Sequence, residues 1–363
     1  MRLLHNGKEA FPMILSCIDQ AKHSIWIKMF VWRDDAIGNE VLSHLYQASL
    51  RGVHIRIDKD RYAEVLEKGE ESKQSLFHKP YTWQSLWQTW LLDHAYPMNK
   101  PSGYVQRPNP LLEDFIRSSK VQINYKKVLK DHSKFYIFDE ELLVLGGINI
   151  EDKEHTVDYL NRRYHDYMIM IHSKEVVSQF IRYYVKKETV DIPNLRFVVN
   201  QHPKIEIAPT MLQLINEAKE KIIITMAYFG SKASQDALKK AANRGVSIDI
   251  LTSEFANIQT DYNRKMLKEL YEHNQKQVTI RLAKQMIHAK FLLSDDSLCI
   301  GSANLNNKGF YHLGELNLLT KDKELIAQVL HSRSMEMKDA FLVQSPSDLK
   351  YIKWRAFMEK IAM

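Results

Sequence analysis

A histidine, a lysine and an aspartate recur twice in this 363-residue chain at one spacing, His-x-Lys-x4-Asp. The first set is His132, Lys134 and Asp139, with Gly146, Gly147 and Asn149 behind it. The second is His288, Lys290 and Asp295, with Gly301, Ser302 and Asn304. Each set offers an imidazole, an ammonium and an amide. Two such sets facing each other could cleave a phosphodiester. Neither has the spacing of a metal-binding cluster, so no metal and no other cofactor is expected.

The spacing also sorts these residues by face. His and Lys two apart point to the same side of a strand, whereas Asp139 lies seven residues beyond His132 and five beyond Lys134, an odd offset that sends it to the other side. Asp295 repeats that offset. Both aspartates are therefore expected to bind turn amides and not to take part in chemistry. Asn149 and Asn304 end the following strand, where an amide can donate to phosphate oxygens. Gly147 and Ser302 are small enough to let backbone and substrate approach.

The elements that must carry these residues are themselves duplicated. MILSCIDQAKHSIWIKMFVW (13–32) and TMLQLINEAKEKIIITMAYF (210–229) each read as an amphipathic helix followed by an apolar strand. A second helix then ends at Arg51-Gly52-Val53 in one half and at Arg244-Gly245-Val246 in the other, with Gly at the expected C-cap and a β-branched strand beyond. The prediction is an α/β protein of two fused, similar α/β/α sandwich halves, 1–195 and 196–363. They are expected to pack with pseudo-two-fold symmetry around one active site at their interface. A single chain would then complete the site without dimerising.

The first half holds an insertion, about 62–115, in which Trp83, Trp87 and Trp90 fall on one helical face. That stripe reads either as an interfacial helix on lipid headgroups or as a face packed on the body of the protein. The tail SPSDLKYIKWRAFMEK predicts a helix capped at Ser345 with Pro346 at its first position. A net charge of +7 favours an anionic partner, nucleic acid or an anionic membrane. Cys17 and Cys299 both lie in apolar runs, which points to buried thiols in a reducing compartment. No apolar run approaches the roughly 20 residues of a membrane span and no signal-peptide pattern is present. The expected location is cytoplasmic, with peripheral membrane contact. His155, His165 and His172 read as surface or packing histidines.

Both motifs, together with the NGKEAF opening, WRDDAIGNEV, GGINI and GSANL, resemble the phospholipase D superfamily, and its bacterial cardiolipin synthase branch in particular. The resemblance covers nearly the whole chain. It implies metal-independent phosphatidyl transfer through a phosphohistidine intermediate, with Lys134, Lys290, Asn149 and Asn304 holding the phosphoryl oxygens. One histidine would be the nucleophile and the other the general acid and base; family habit makes His132 the nucleophile. It also implies a downstream acid orienting each imidazole, which assigns Asp166 to His132 and Glu315 to His288.

Three positions depart from the family pattern: Asp131 before the first histidine, Asn306-Asn307-Lys308 after GSANL, and Leu313-Gly314 before the second acid. The substrate implied is a glycerophospholipid, anionic or zwitterionic. Hydrolysis to phosphatidic acid and a nuclease of the same superfamily are the rival readings. The nuclease reading is the weaker, because such enzymes more often carry one motif per chain and the Trp stripe suits a lipid surface better than a duplex.

Overall fold

Along SIWIKM and HIRIDK apolar residues alternate, and a period of two puts Ile25, Ile27, Ile55 and Ile57 on one face of a sheet. In the computed structural model, which describes residues 1–69, 75–77, 83, 86, 87, 90, 108–158 and 160–362, this patterning builds two α/β units, Leu3–Val190 and Asp191–Met363.

The first unit runs β1 (Arg2–His5), α1 (Asn6–Gln20), β2 (Ser24–Met29), α2 (Ala36–Leu50), β3 (His54–Lys59), β4 (Val121–Asn124), β5 (Phe135–Phe138), β6 (Leu142–Gly146), β7 (Tyr167–His172) and α3 (Lys174–Lys186). Its seven-stranded sheet has the order β1-β7-β6-β5-β2-β3-β4. β2, β3 and β4 are parallel, while β5 adds antiparallel to β2, β6 antiparallel to β5 and β7 antiparallel to β6. Helices cover both faces. Tyr136 and Phe138 share a core with α1 and α2, whereas Phe135 meets Phe180 and Tyr184 of α3 edge-on at 5.2 and 5.1 Å.

The second unit repeats this plan with β8 (Leu195–Gln201), α4 (Ile207–Glu217), β9 (Lys221–Met226), α5 (Lys232–Asn243), β10 (Ser247–Ser253), α6 (Thr260–His273), β11 (Val278–Ala283), β12 (Lys290–Ser294), β13 (Ser297–Gly301), β14 (Glu315–Thr320), α7 (Lys323–Met337) and α8 (Lys353–Ala362). Its sheet is β8-β14-β13-β12-β9-β10-β11, extended to nine strands by two-residue edges at Lys204–Ile205 and Phe341–Leu342. The duplicated turn glycines have one cause: Gly52 and Gly245 follow α2 and α5 at φ of 93° and 90°, a left-handed conformation costly for any residue with a Cβ.

The aspartates of the two motifs sit in these frameworks identically. Asp139, at φ 50°, accepts from the amides of Lys22, His23 and Ser24 at 2.9, 2.7 and 2.8 Å. Asp295, also at φ 50°, accepts from those of Lys219, Glu220 and Lys221 at 2.9, 3.0 and 3.0 Å. Each ties the turn after its own motif strand to the start of β2 or β9, and Asp tolerates the left-handed backbone better than most residues. Burial alone would raise the Asp139 carboxyl, but the three amides outweigh it and hold it below the usual carboxylate range; Asp295 behaves the same way.

A depressed folded pKa means stability that is present above the unfolded pKa of about 4 and is lost as pH falls through the folded value. Asp139→Ala, which removes the acceptors and leaves alanine at positive φ, is expected to cost about 1–3 kcal/mol near neutrality. In thermal melts of Asp139→Asn, the deficit against the unaltered protein should shrink as pH drops toward 3. A deficit that stayed constant with pH would rule out the carboxylate as its source.

The insertion and the tail carry further expectations. Much of the insertion lies outside the described residues; of its described positions, the helical Trp83, Trp87 and Trp90 are 85%, 56% and 48% exposed. The tail does not form one helix from Ser345. Ser345 and Asp348 close a capping box around the short turn Pro346–Leu349, and the chain extends at Lys350 (φ −66°, ψ 138°). The amide of Ile352 is taken by Asp261 at 2.7 Å, and α8 starts only at Lys353.

Candidate active site

His132 and His288 sit just before β5 and β12, and each lysine two residues on reaches back to its histidine's backbone. The Lys134 ammonium donates to the His132 carbonyl at 2.8 Å, and Lys290 donates to the carbonyl of His288. All four side chains are buried. Each imidazole is thus paired with an ammonium fixed against its own backbone. That pairing suits an anion.

The strand ends bring the other predicted residues to matching places. The amide of Gly147 donates to the Tyr167 carbonyl at 3.0 Å, and that of Ser302 to the Leu316 carbonyl at 3.1 Å. Asp166 and Glu315 therefore stand at the same point of their units, beside the small residues. The acids are held differently. A Cβ on Gly147 would lie 2.4 Å from both carboxylate oxygens of Asp166, whose Oδ1 accepts from the Tyr167 amide at 2.8 Å, so any larger residue there would have to displace that carboxylate. In the second unit the Ser302 hydroxyl donates to Glu315 Oε2 at 2.5 Å and accepts from the Leu316 amide at 3.0 Å. The longer acid thus accompanies the larger small residue.

The amides differ as well. Asn149 Oδ1 accepts from the Val31 amide and its Nδ2 donates to Glu151 Oε1, both at 3.3 Å. Glu151 is anchored in turn by Arg33 Nε at 2.6 Å and by Lys153 Nζ at 3.3 Å. Parallel bridges at Trp32–Ile150 and Phe229–Leu305 identify the counterparts of Arg33 and Glu151 as Gly230 and Asn306, which carry no charge. Asn306 Oδ1 instead accepts from the Gly309 amide at 2.8 Å, and Asn304 Oδ1 is buried without a hydrogen-bond donor among the described residues.

Phe30 meets the His132 ring edge-on at 4.6 Å and lies 5.3 Å from Lys134 Nζ, where the second unit has Ala227. Asp131 accepts from Lys28 at 2.8 Å and from the Ser133 amide at 3.0 Å, where the second unit has Ile287. Burial would raise the Asp131 carboxyl, but the Lys28 charge outweighs this and holds it low. This ion pair braces the residue next to His132.

Phe30, Arg33, Glu151 and Lys28 were not singled out by spacing. The signal of Lys28, Arg33 and Glu151 was a charge beside an apolar run, in SIWIKMFVWRDD and GGINIED, which demands a buried partner when it goes inside. Of the histidines expected to pack or to lie at the surface, His165 lies between His5 Nε2 at 3.1 Å and the Tyr167 hydroxyl at 2.7 Å, His155 meets Phe11 edge-on at 5.6 Å, and His172 is exposed.

Comparison with known proteins follows the same duplication. The family model described as "Cardiolipin synthase, PLD-like domain" matches residues 14–187 and 211–333. Cardiolipin synthase B of Salmonella typhi is 24% identical over 360 residues, covering 89% of this chain and 76% of that protein. Cardiolipin synthase 1 of Bacillus cereus is 24% identical over 406 residues, covering 99% and 69%. The crystal structure of phosphatidylserine synthase from Haemophilus influenzae superposes with a TM-score of 0.69 at 14% identity, covering 99% of this chain and 91% of that one. With a family match running through both units and both motifs, the chain belongs to the cardiolipin synthase family of phospholipase D-like proteins.

Proposed function

We propose that this chain is a phosphatidyltransferase of the cardiolipin synthase type, acting through a phosphohistidine and without a metal. The observation that carries this reading is the completeness of both motif sets: each has its buried His–Lys pair, its amide and its acid, in a chain of this family. In the first step an imidazole nitrogen of His132 attacks phosphorus of a glycerophospholipid. The P–O bond to the headgroup alcohol breaks, and His288 gives that alkoxide a proton.

In the second step His288 takes the proton of an acceptor alcohol, whose oxygen attacks phosphorus as the P–N bond breaks. Phosphatidylglycerol as acceptor gives cardiolipin; water gives phosphatidic acid. Lys134, Lys290, Asn149 and Asn304 stabilise the charge on the phosphoryl oxygens. Asp166 and Glu315 fix the tautomers of the imidazoles, as the acid does in a hydrolase triad. Gly147 and Ser302 leave room for those acids. The exposed Trp83, Trp87 and Trp90 support contact with a lipid surface, and a cytoplasmic, peripheral enzyme needs no membrane span. Among the described residues no helix is long and apolar enough to cross a membrane.

Incubation with phosphatidylglycerol and phosphatidylethanolamine liposomes in chelator-treated buffer, followed by mass spectrometry of the lipids, tests the reading. Cardiolipin or another transfer product absent from a His132→Ala control is expected. Phosphatidic acid alone would mean a hydrolase, and unchanged lipids with both proteins would end the lipid reading.

A further inference from the structure

The C-terminal helix α8 turns its apolar side outward. Trp354, Phe357, Met358 and Ile361 are 65%, 62%, 54% and 65% exposed. At about 100° per residue, their i, i+3, i+4, i+7 spacing confines them to one arc roughly 100° wide. Lys353 and Lys360 flank that arc on one side and Arg355 on the other, all exposed.

The opposite side is the one that packs: Ala356 joins the core of the second unit, and Glu359 accepts from the Tyr262 amide at 2.7 Å. With the Ile352 amide held by Asp261, α8 is fastened to the N-terminal turn of α6 at two points. The outward stripe is therefore a built surface, not the frayed side of a loose end. The only acid of the helix, Glu359, faces inward, so the exposed side is purely apolar and basic.

We propose that α8 is a membrane-docking helix that seats Trp354, Phe357, Met358 and Ile361 among the acyl chains and headgroups of an anionic phospholipid surface. Charge decides the occupant. A second copy of this face would set Lys353, Arg355 and Lys360 against the same cations, whereas anionic headgroups neutralise them while the stripe is buried. The choice of lipid as occupant rests on the phosphatidyltransferase reading, and the docking itself is independent of catalysis.

Vesicle co-sedimentation tests it with the full chain, comparing phosphatidylglycerol-containing with pure phosphatidylcholine vesicles. The unaltered protein should prefer the anionic vesicles. Phe357→Glu/Ile361→Glu should weaken that binding by more than about tenfold. Lys353→Glu/Arg355→Glu/Lys360→Glu should weaken it comparably at low salt and remove most of its salt dependence. The melting temperature of each variant should stay near that of the unaltered protein, because only exposed positions change.

Turnover of a short-chain phosphatidylglycerol dispersed below its micellar concentration should be equal in the unaltered protein and the Phe357→Glu/Ile361→Glu variant. That arm reads the chemistry alone, so its failure with docking intact would sink the catalytic reading and not this one. Equal vesicle binding by all three proteins would overturn the proposal. So would a dimer of the unaltered protein in size-exclusion chromatography that the apolar variant breaks without losing vesicles, since the stripe would then be an interface between copies.

Discussion

Replacing His132 by alanine is expected to lower turnover of a natural phospholipid by about 10⁴-fold or more, the scale seen when a covalent nucleophile is lost. His288→Ala should cost about 10²–10⁴-fold, the usual worth of a general acid and base. The two roles separate by leaving group. A phosphatidyl ester of p-nitrophenol leaves as a stable phenolate and needs no proton, so His288→Ala should still release one equivalent of nitrophenol in a burst. Its second step, which needs a base to activate the acceptor, should then stall. The covalent adduct should accumulate and appear as a phosphatidyl mass increment in protein denatured at neutral to mildly alkaline pH, where the P–N bond survives. His132→Ala should give neither burst nor adduct. A burst from His132→Ala and none from His288→Ala would exchange the two roles.

Both variants share a structural rationale. His132 has an aromatic wall in Phe30 and a neighbouring ion pair, Asp131 with Lys28, whereas His288 has Ala227 and Ile287 at those places. A ring packed edge-on at 4.6 Å is fixed in orientation, which a nucleophile needs when it must approach phosphorus in line. The acids can be assigned by double-mutant cycles. Combining Asp166→Asn or Glu315→Gln with each histidine variant should show strong non-additivity only for the acid that orients that imidazole.

Much of the architecture was legible because it is written twice. A helix–strand pattern that recurs with the same Arg-Gly-Val stop signal predicts two similar α/β halves, and the two sheets follow that plan strand for strand. The expected structural role of Asp139 and Asp295 agrees with their contacts to turn amides. Both acids stand in the turn just past the strand, at φ 50°, so the turn and not the strand period alone fixes where they point.

What the sequence hid are contacts between segments far apart in the chain. Arg33 and Glu151 are 118 residues apart, and no local period links them, although together they hold Asn149. The pairing of Gly147 with Asp166 is equally invisible, since the space the glycine leaves is filled by a carboxylate from another segment and not by its own turn. The tail was misread for a related reason. Ser345 and Pro346 do start a helical turn, but a distant carboxylate, Asp261, captures the Ile352 amide and delays the helix to Lys353.

Lys134→Met should separate function from stability in opposite directions. The Lys134 side chain is wholly buried, and its ammonium is held by the His132 carbonyl at 2.8 Å. Keeping a charge there costs desolvation free energy, which methionine of similar length removes. The transition state, however, gains negative charge on the phosphoryl oxygens in a site from which water is excluded, and a fixed donor there is worth about 10²–10³-fold in kcat. The melting temperature of Lys134→Met should therefore hold or rise while kcat falls by about that factor. Lys290→Met should behave alike in the second unit. Arginine should not rescue either position, because a planar guanidinium neither fits the space of a fully buried lysine nor reproduces its point charge. A kcat within tenfold of the unaltered protein would show that the ammonium only braces the His132 backbone. A fall in both kcat and melting temperature would show that it supports the strand end more than the reaction.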